Sequence, residues 1–153
     1  MGLASRNATP SDLAAAGCLD DARIKVVTFE VQAPTATAFG WHRMPCAGRI
    51  VRIEGRQKTA ASGMGAADST TLQVRRNRGG TSTNLLDAVM TFAQADGANN
   101  VQLGVLDPDH ADYSAAHKAI EVASGDILDL NVTAIQAGAT PAVGLTVQVT
   151  ILV

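Results

Sequence analysis

The sequence predicts an all-β protein, an antiparallel β-sandwich of jelly-roll type, preceded by a short N-terminal arm with at most one short helix. Three observations carry that expectation. Residues 127–134 and 145–153 alternate apolar and polar positions: Leu128, Leu130 and Val132 are interleaved with Asp129, Asn131 and Thr133, and Leu145, Val147, Val149 and Ile151 with Thr146, Gln148 and Thr150. A period of two is the pattern of strands with one buried face. Segments of this kind recur from Ile24 onward with Gly, Pro, Asn and Asp between them, the punctuation of a sandwich. Finally, apolar residues make up 46% of the chain but aromatics only 3%, so the core must be built from Val, Ile, Leu and Ala. That composition suits a thin sandwich better than an aromatic-lined ligand pocket.

The elements follow in order. Residues 1–23 are small and polar and read as an arm, separate from a sandwich domain over 24–153. Within the arm, Thr9-Pro-Ser-Asp-Leu-Ala-Ala-Ala-Gly17 carries one helical signal. Thr9 suits the N-cap, Pro10 the first helical position, Asp12 the positive helix end and Gly17 the C-terminal stop. About two turns of helix are marginal alone, so the arm reads either as a loosely ordered tail or as a segment that orders on a neighbouring subunit or a larger assembly, with Thr9 and Leu13 as its contact residues. Predicted strands then occupy Ile24–Val31, 49–57, 70–76, 85–92, 101–106, 117–122, Ile127–Ala134 and 145–153. Arg76-Asn-Arg-Gly-Gly80 reads as a hairpin turn in which Asn77 and the glycines take positive φ. Residues 58–68 lack periodicity and bulk and read as a long contact loop. Residues 107–116 read as loop.

With 153 residues the chain fits one domain and can bury roughly 68–70% of its unfolded surface. A net charge of −2 gives no bulk positive field for nucleic acid or an anionic membrane, so neither is expected as a partner. Cys18 and Cys46 do not form the dense cysteine pattern of small secreted domains. No segment approaches the roughly 20 apolar residues of a membrane span. A soluble protein made in a reducing cytoplasm is the expectation.

Catalytic chemistry finds no foothold. The serines lie outside any Gly-x-Ser-x-Gly elbow, and no phosphate-cradling or dinucleotide glycine pattern occurs. No catalytic residue and no cofactor is expected. Asp107, Asp109 and Asp112 cluster with His110 as calcium ligands do, but the glycine and distal Glu of a calcium loop are missing, so a solvated acidic loop is expected and no metal. His110 and His117 have no cysteine near them in sequence, which argues against zinc.

Two features point to surfaces. Arg49, Arg52 and Arg56, and Arg75, Arg76 and Arg78, form two basic strands in a slightly acidic chain. Arg52 and Arg56 fall on one strand face, and Arg76 and Arg78 share another if their strand runs that far. Such arginines are either solvated edge charges that discourage aggregation or bidentate anchors for carboxylates on a partner. Trp41 lies in Phe39-Gly-Trp-His42. A sole tryptophan is most often a packing residue, with an interface anchor or a sugar platform as alternatives.

Taken in order, Val27-Thr-Phe-Glu-Val31, Met44-Pro-Cys-Ala-Gly-Arg-Ile-Val-Arg-Ile53, Thr71-Leu-Gln-Val-Arg-Arg-Asn-Arg-Gly-Gly-Thr81, Val122-Ala-Ser-Gly-Asp-Ile-Leu-Asp-Leu-Asn-Val132 and the closing Leu145-Thr-Val147 strand resemble phage β-sandwich proteins that decorate capsids or form small head fibres. The resemblance covers residues 24–153 and rests on the order and spacing of these motifs. It implies a non-enzymatic virion protein, a homotrimer or a dimer, on the outer surface of an icosahedral head, where it cements contacts between major capsid protein subunits. Thr9, Leu13, Trp41, Arg52, Arg56, Arg75, Arg76 and Arg78 are the candidate interface residues. The competing expectation is a carbohydrate- or receptor-binding module of a tail or head fibre.

Overall fold

The computed structural model describes residues 24–31, 39–59, 69–93, 96–134 and 143–153. The arm with Thr9 and Leu13, its predicted helix, Cys18 and residues 60–68 of the predicted contact loop lie outside them. The described residues form eleven strands: β1 (Ile24–Val31), β2 (Phe39–Arg43), β3 (Gly48–Thr59), β4 (Ser69–Arg78), β5 (Thr81–Asn84), β6 (Met90–Ala93), β7 (Val101–Gly104), β8 (Tyr113–Ser114), β9 (Ala119–Val122), β10 (Ile127–Ala134) and β11 (Val143–Leu152). Every pairing is antiparallel, in two sheets. The all-β sandwich expected from the sequence is what the chain forms.

Sheet A runs β1-β11-β3-β9-β8, with β7 also beside β3; sheet B runs β2-β10-β4-β5, with β6 also beside β4. The pairings have a nested order: β1 with β11, β2 with β10, β3 with β7 and β4 with β6. The chain is thus a long ribbon doubled back on itself, with the partners most distant in sequence outermost. Successive strands β1 to β4 alternate between the two sheets, so the ribbon wraps around one core.

That core is the set of inward positions the alternation predicts. Val27, Phe29 and Val31 of β1, Leu145, Val147, Val149 and Ile151 of β11, and Ile50 and Ile53 of β3 line sheet A. Leu72 and Val74 of β4, Leu128, Leu130 and Val132 of β10, and Phe92 line sheet B. Sheet separation is set where side chains are missing as well as where they are present. A Cβ on Gly55 would lie 2.6 Å from Met90 Cε and 2.7 Å from Phe92 Cζ, so glycine leaves the space those two side chains fill.

Several boundaries differ from the sequence reading. The predicted strand 85–92 is broken, and only its end belongs to β6, because Leu85 and Leu86 are both buried and cannot alternate. Their backbone is held on two sides. Leu85 N–H bonds Val74 O of sheet B at 2.9 Å, while Asp87 N–H bonds Val105 O and Asp107 N–H bonds Leu85 O, both at 3.0 Å, beyond β7 of sheet A. The Gln73 amide completes this corner, donating to Leu86 O and accepting from Leu86 N–H, each at 3.1 Å. The strand expected over 117–122 begins at Ala119, since Lys118 takes a φ of 50°. Tyr113–Ser114 forms a short strand inside the expected loop, and β2 and β5 were not anticipated. The hairpin after β4 is where the sequence places it, with Gly79 at φ 59° and Gly80 at 87°; Asn77 instead stays in the strand and its Oδ1 accepts Gly80 N–H at 3.1 Å. Lys58 and Thr59 belong to β3 rather than to the loop.

Gly55→Ala is expected to lower stability by roughly 1–3 kcal/mol through overpacking between the sheets, read as a lower unfolding midpoint in urea at unchanged slope.

Candidate functional site

Along the inward face of β4 the side chains run Thr70, Leu72, Val74, Arg76, Arg78, so an apolar row turns basic where the sandwich opens. Arg76 is 5% exposed. Its Nη1 meets Asp112 Oδ2 at 2.5 Å and also donates to Glu121 O at 3.4 Å. Arg78 bridges two carboxylates: Nη1 to Asp112 Oδ1 at 3.1 Å, and Nε and Nη2 to Asp126 Oδ1 and Oδ2 at 2.9 and 2.7 Å. The last pair is the bidentate fork that guanidinium geometry favours. Asp126 is 2% exposed and also accepts the Ala123 amide at 2.8 Å. The turn that carries it is anchored to the β2–β3 bend by Met44 N–H to Asp126 O, Gly125 N–H to Met44 O and Ser124 Oγ to Pro45 O.

This cluster fixes charge states. The hydrogen bond from Arg76, with help from Arg78 and against partial burial, holds the Asp112 carboxyl below its usual range. Burial pushes Asp126 up, but the hydrogen bonds from Arg78 and the Ala123 amide outweigh it and leave that carboxyl low as well. Arg78 is raised by the same contacts, led by the Asp126 hydrogen bond.

The arginines of the second basic strand are therefore committed within the chain. The structure corrects the reading of Arg76 as a solvated edge charge or an outward anchor, because its strand face turns inward and a carboxylate neutralises it there. Arg76 and Arg78 do share a face, as expected. Arg75 points the other way and pairs with Asp129 at 2.7 Å on the outer surface of sheet B. Residues 107–112 are not simply a solvated acidic loop either: Asp112 faces two guanidinium groups, Asp107 Oδ1 accepts Asp109 N–H at 2.9 Å, and His110 is buried. Arg52 and Arg56 lie on the outer face of sheet A, Arg52 against Glu54 at 2.6 Å and Arg56 donating to Asn99 Oδ1 at 2.5 Å. Trp41 is 71% exposed, which overturns packing as its role. It stands on edge strand β2 opposite Asp129, itself opposite Arg75, so the ring borders that ion pair.

A second surface was not foreseen. Val101, Leu103 and Val105 are exposed in a row along β7 and just beyond it, the last two at 63% and 65%. Their strand inverts the usual alternation, with Gln102 and Gly104 on the less exposed side. Packing accounts for it: a Cβ at position 104 would lie 2.6 Å from Leu86 Cδ2, so Leu86 fills the space over the inward position and the valines and leucine are turned out. Ile24 and Val26 of β1 and Leu152 of β11 are exposed on the same outer face of sheet A, where Ile24 pairs with Leu152. Between these apolar borders runs a polar strip, with an open groove of about 690 Å³ lined by Glu30, Glu54, Arg56, Lys58, Asn99 and Gln148. Alternation in the sequence gives no signal for this face, since it puts Val101, Leu103 and Val105 on the core side and Gln102 and Gly104 outside, the reverse of what forms.

No family model, curated protein or solved structure matches this chain.

Removing Asp112 leaves the buried Arg76 without the carboxylate that neutralises it. Asp112→Ala is expected to destabilise the fold toward the low end of roughly 3–5 kcal/mol, the low end because Asp112 is partly solvated. Because Asp112 and Asp126 titrate lower in the folded than in the unfolded chain, their contribution is complete above the unfolded value of 3.8 and is lost as the pH falls through the folded values. Urea unfolding followed by circular dichroism between about pH 5 and about pH 2.5 checks this, and Asp126→Asn is expected to flatten the curve there.

Proposed function

We propose that this chain is a non-enzymatic structural module that docks through the outer face of sheet A. In the form the resemblance indicates, it is a decoration protein on the outside of a phage head, bound to the major capsid protein and to copies of itself. The observation that carries the reading is the row Val101, Leu103, Val105 together with Ile24, Val26 and Leu152 on one sheet face. Large apolar side chains grouped on one face, with polar groups between them, are what a protein-binding surface requires, whereas scattered ones need no explanation. The nested strand pairing supports a jelly-roll reading of the sandwich, since a doubled ribbon wrapped into two sheets has that topology. The action would be mechanical. A module that covers apolar surface at the seams between shell subunits adds contact area there, and self-association multiplies weak contacts through effective concentration.

A second reading rests on Trp41. An exposed indole beside the Asp129–Arg75 pair offers a stacking platform with polar groups at its rim, the layout of a carbohydrate- or receptor-binding site on a fibre.

Light scattering after size-exclusion chromatography is expected to give a mass near three times 15.7 kDa. Leu103→Asp combined with Val105→Asp is expected to weaken binding to capsid shells by about tenfold or more, about 1.4 kcal/mol, while circular dichroism stays native. Undiminished shell binding by that variant would sink the docking face. Glycan binding that disappears in Trp41→Ala, with shells left unbound by the native chain, would replace the first reading by the second.

A further inference from the structure

The segment between β7 and β9 crosses the arginine end of the sandwich, held there by Asp112 on the two arginines and, just before it, by His110. His110 is 8% exposed and both ring nitrogens are engaged. Nδ1 accepts the Asp112 backbone N–H at 3.1 Å. That leaves Nε2 as the protonated nitrogen, and it donates to Thr83 Oγ1 of β5 at 3.0 Å. The Thr83 hydroxyl in turn donates to Arg76 O at 3.4 Å. Only the neutral, Nε2-protonated ring satisfies this chain, because an imidazolium carries two donors and no acceptor.

We propose that His110 is a proton-operated latch: neutral, it clamps residues 107–111 across the end of the sandwich, and protonated, it releases them while both sheets stay folded and Asp112 stays on its arginines.

The charges around the ring favour release. Arg76 and Arg78 face it from β4, and Asp107 and Asp112 from its own segment, while β5 presents the uncharged Thr83. Asp112 is already bound by both arginines and Asp107 by the Asp109 amide, so a third cation arrives beside two guanidinium groups whose carboxylates are taken. Burial, then Arg76, pulls the ring below the ordinary histidine range against the two carboxylates. With the folded value below the unfolded 6.5, the latch contributes fully above that pH and is lost as the pH falls through the folded value.

The opening stays local because the released residues are anchored on both sides, by Asp112 on Arg76 and Arg78 and by Asp107 N–H on Leu85 O at 3.0 Å. Between those anchors the bonds made around the ring are local, His110 N–H to Asp107 O at 3.3 Å, Asp112 N–H to His110 Nδ1 and Tyr113 N–H to His110 O at 2.8 Å, while Glu121 N–H to Asp112 O at 2.9 Å and the pairing of β8 with β9 stay with the sheet. Strands β3 and β11 at the centre of sheet A are paired over most of their length and do not depend on these bonds. Release frees the His110 ring and Thr83 Oγ1, so the end of the sandwich would present a different surface in mild acid.

Hydrogen exchange on the full chain at about pH 7.5 and about pH 5, corrected for intrinsic rates, tests the latch. Protection of the Asp112 and Tyr113 amides is expected to fall by about tenfold or more, with Glu121, β3 and β11 amides unchanged. His110→Asn keeps a local acceptor for the Asp112 amide and cannot titrate, so its protection is expected to be the same at both pH values. Equal protection at both pH values in the native chain, or an undiminished pH effect in His110→Asn, overturns the proposal. Should that variant fail to fold, nitrogen-15 spectra of the native histidines decide: a neutral Nε2-protonated His110 at about pH 7.5 is required, and a Nδ1-protonated or charged ring there overturns it.

Discussion

The interaction on which this architecture most depends is the charge cluster of Arg76, Arg78, Asp112 and Asp126. A two-sheet sandwich must end somewhere, and at each end its apolar interior meets water. At one end here the inward row of β4 changes from Leu72 and Val74 to two arginines, and carboxylates come to them from two different connections. Asp112 lies just before β8 of sheet A, and Asp126 just before β10 of sheet B. The cluster therefore specifies which connection crosses which opening, a constraint that apolar packing alone does not impose. Burial of such groups is not in itself a strong source of stability, and its clearest effect is on arrangement. Toward the opposite end, Gln57 is a buried polar group, and its amide donates to Gly97 O at 2.7 Å.

This division has a functional side. The residues that look most like contact residues in a linear reading, three arginines around a glycine turn, are largely used inside the chain. The residues left facing outward as a group are aliphatic. Charge maintains the frame, and the sheet surface is free to meet a partner without disturbing it. Such a separation suits a structural module, because substitutions on the outer face of sheet A change what is bound and leave the closing network untouched.

How much of this was legible in the sequence depended on the local rule in force. β1, β10 and β11 obey the period of two strictly, and their limits follow from alternation alone, within a residue or two. The glycine pair after Arg78 marks its hairpin for the same reason: only residues without a Cβ take those angles easily. Leu85 and Leu86 defeated the rule because consecutive apolar residues can be a strand or a corner, and the Gln73 amide that makes them a corner is twelve or more positions away. β7 defeated it because Gly104 reverses inside and outside. Arg76 and Arg78 could not be assigned at all, since their carboxylate partners are 34 to 48 residues distant in sequence. Trp41 was open for a similar reason, as its exposure depends on β2 being the edge of sheet B.

The nesting of strand pairs has a consequence for how the protein is made. β11 lies between β1 and β3, so until residues 143–152 leave the ribosome both neighbours have an open hydrogen-bonding edge. β1, synthesised first among the described strands, waits longest, with Val27, Phe29 and Val31 on one side and Ile24 and Val26 on the other. Non-local pairings of this kind close late, and open edges of this kind recruit other chains. Slow emergence or truncation of the last strand would therefore be felt as aggregation of nascent chains rather than as loss of a peripheral element.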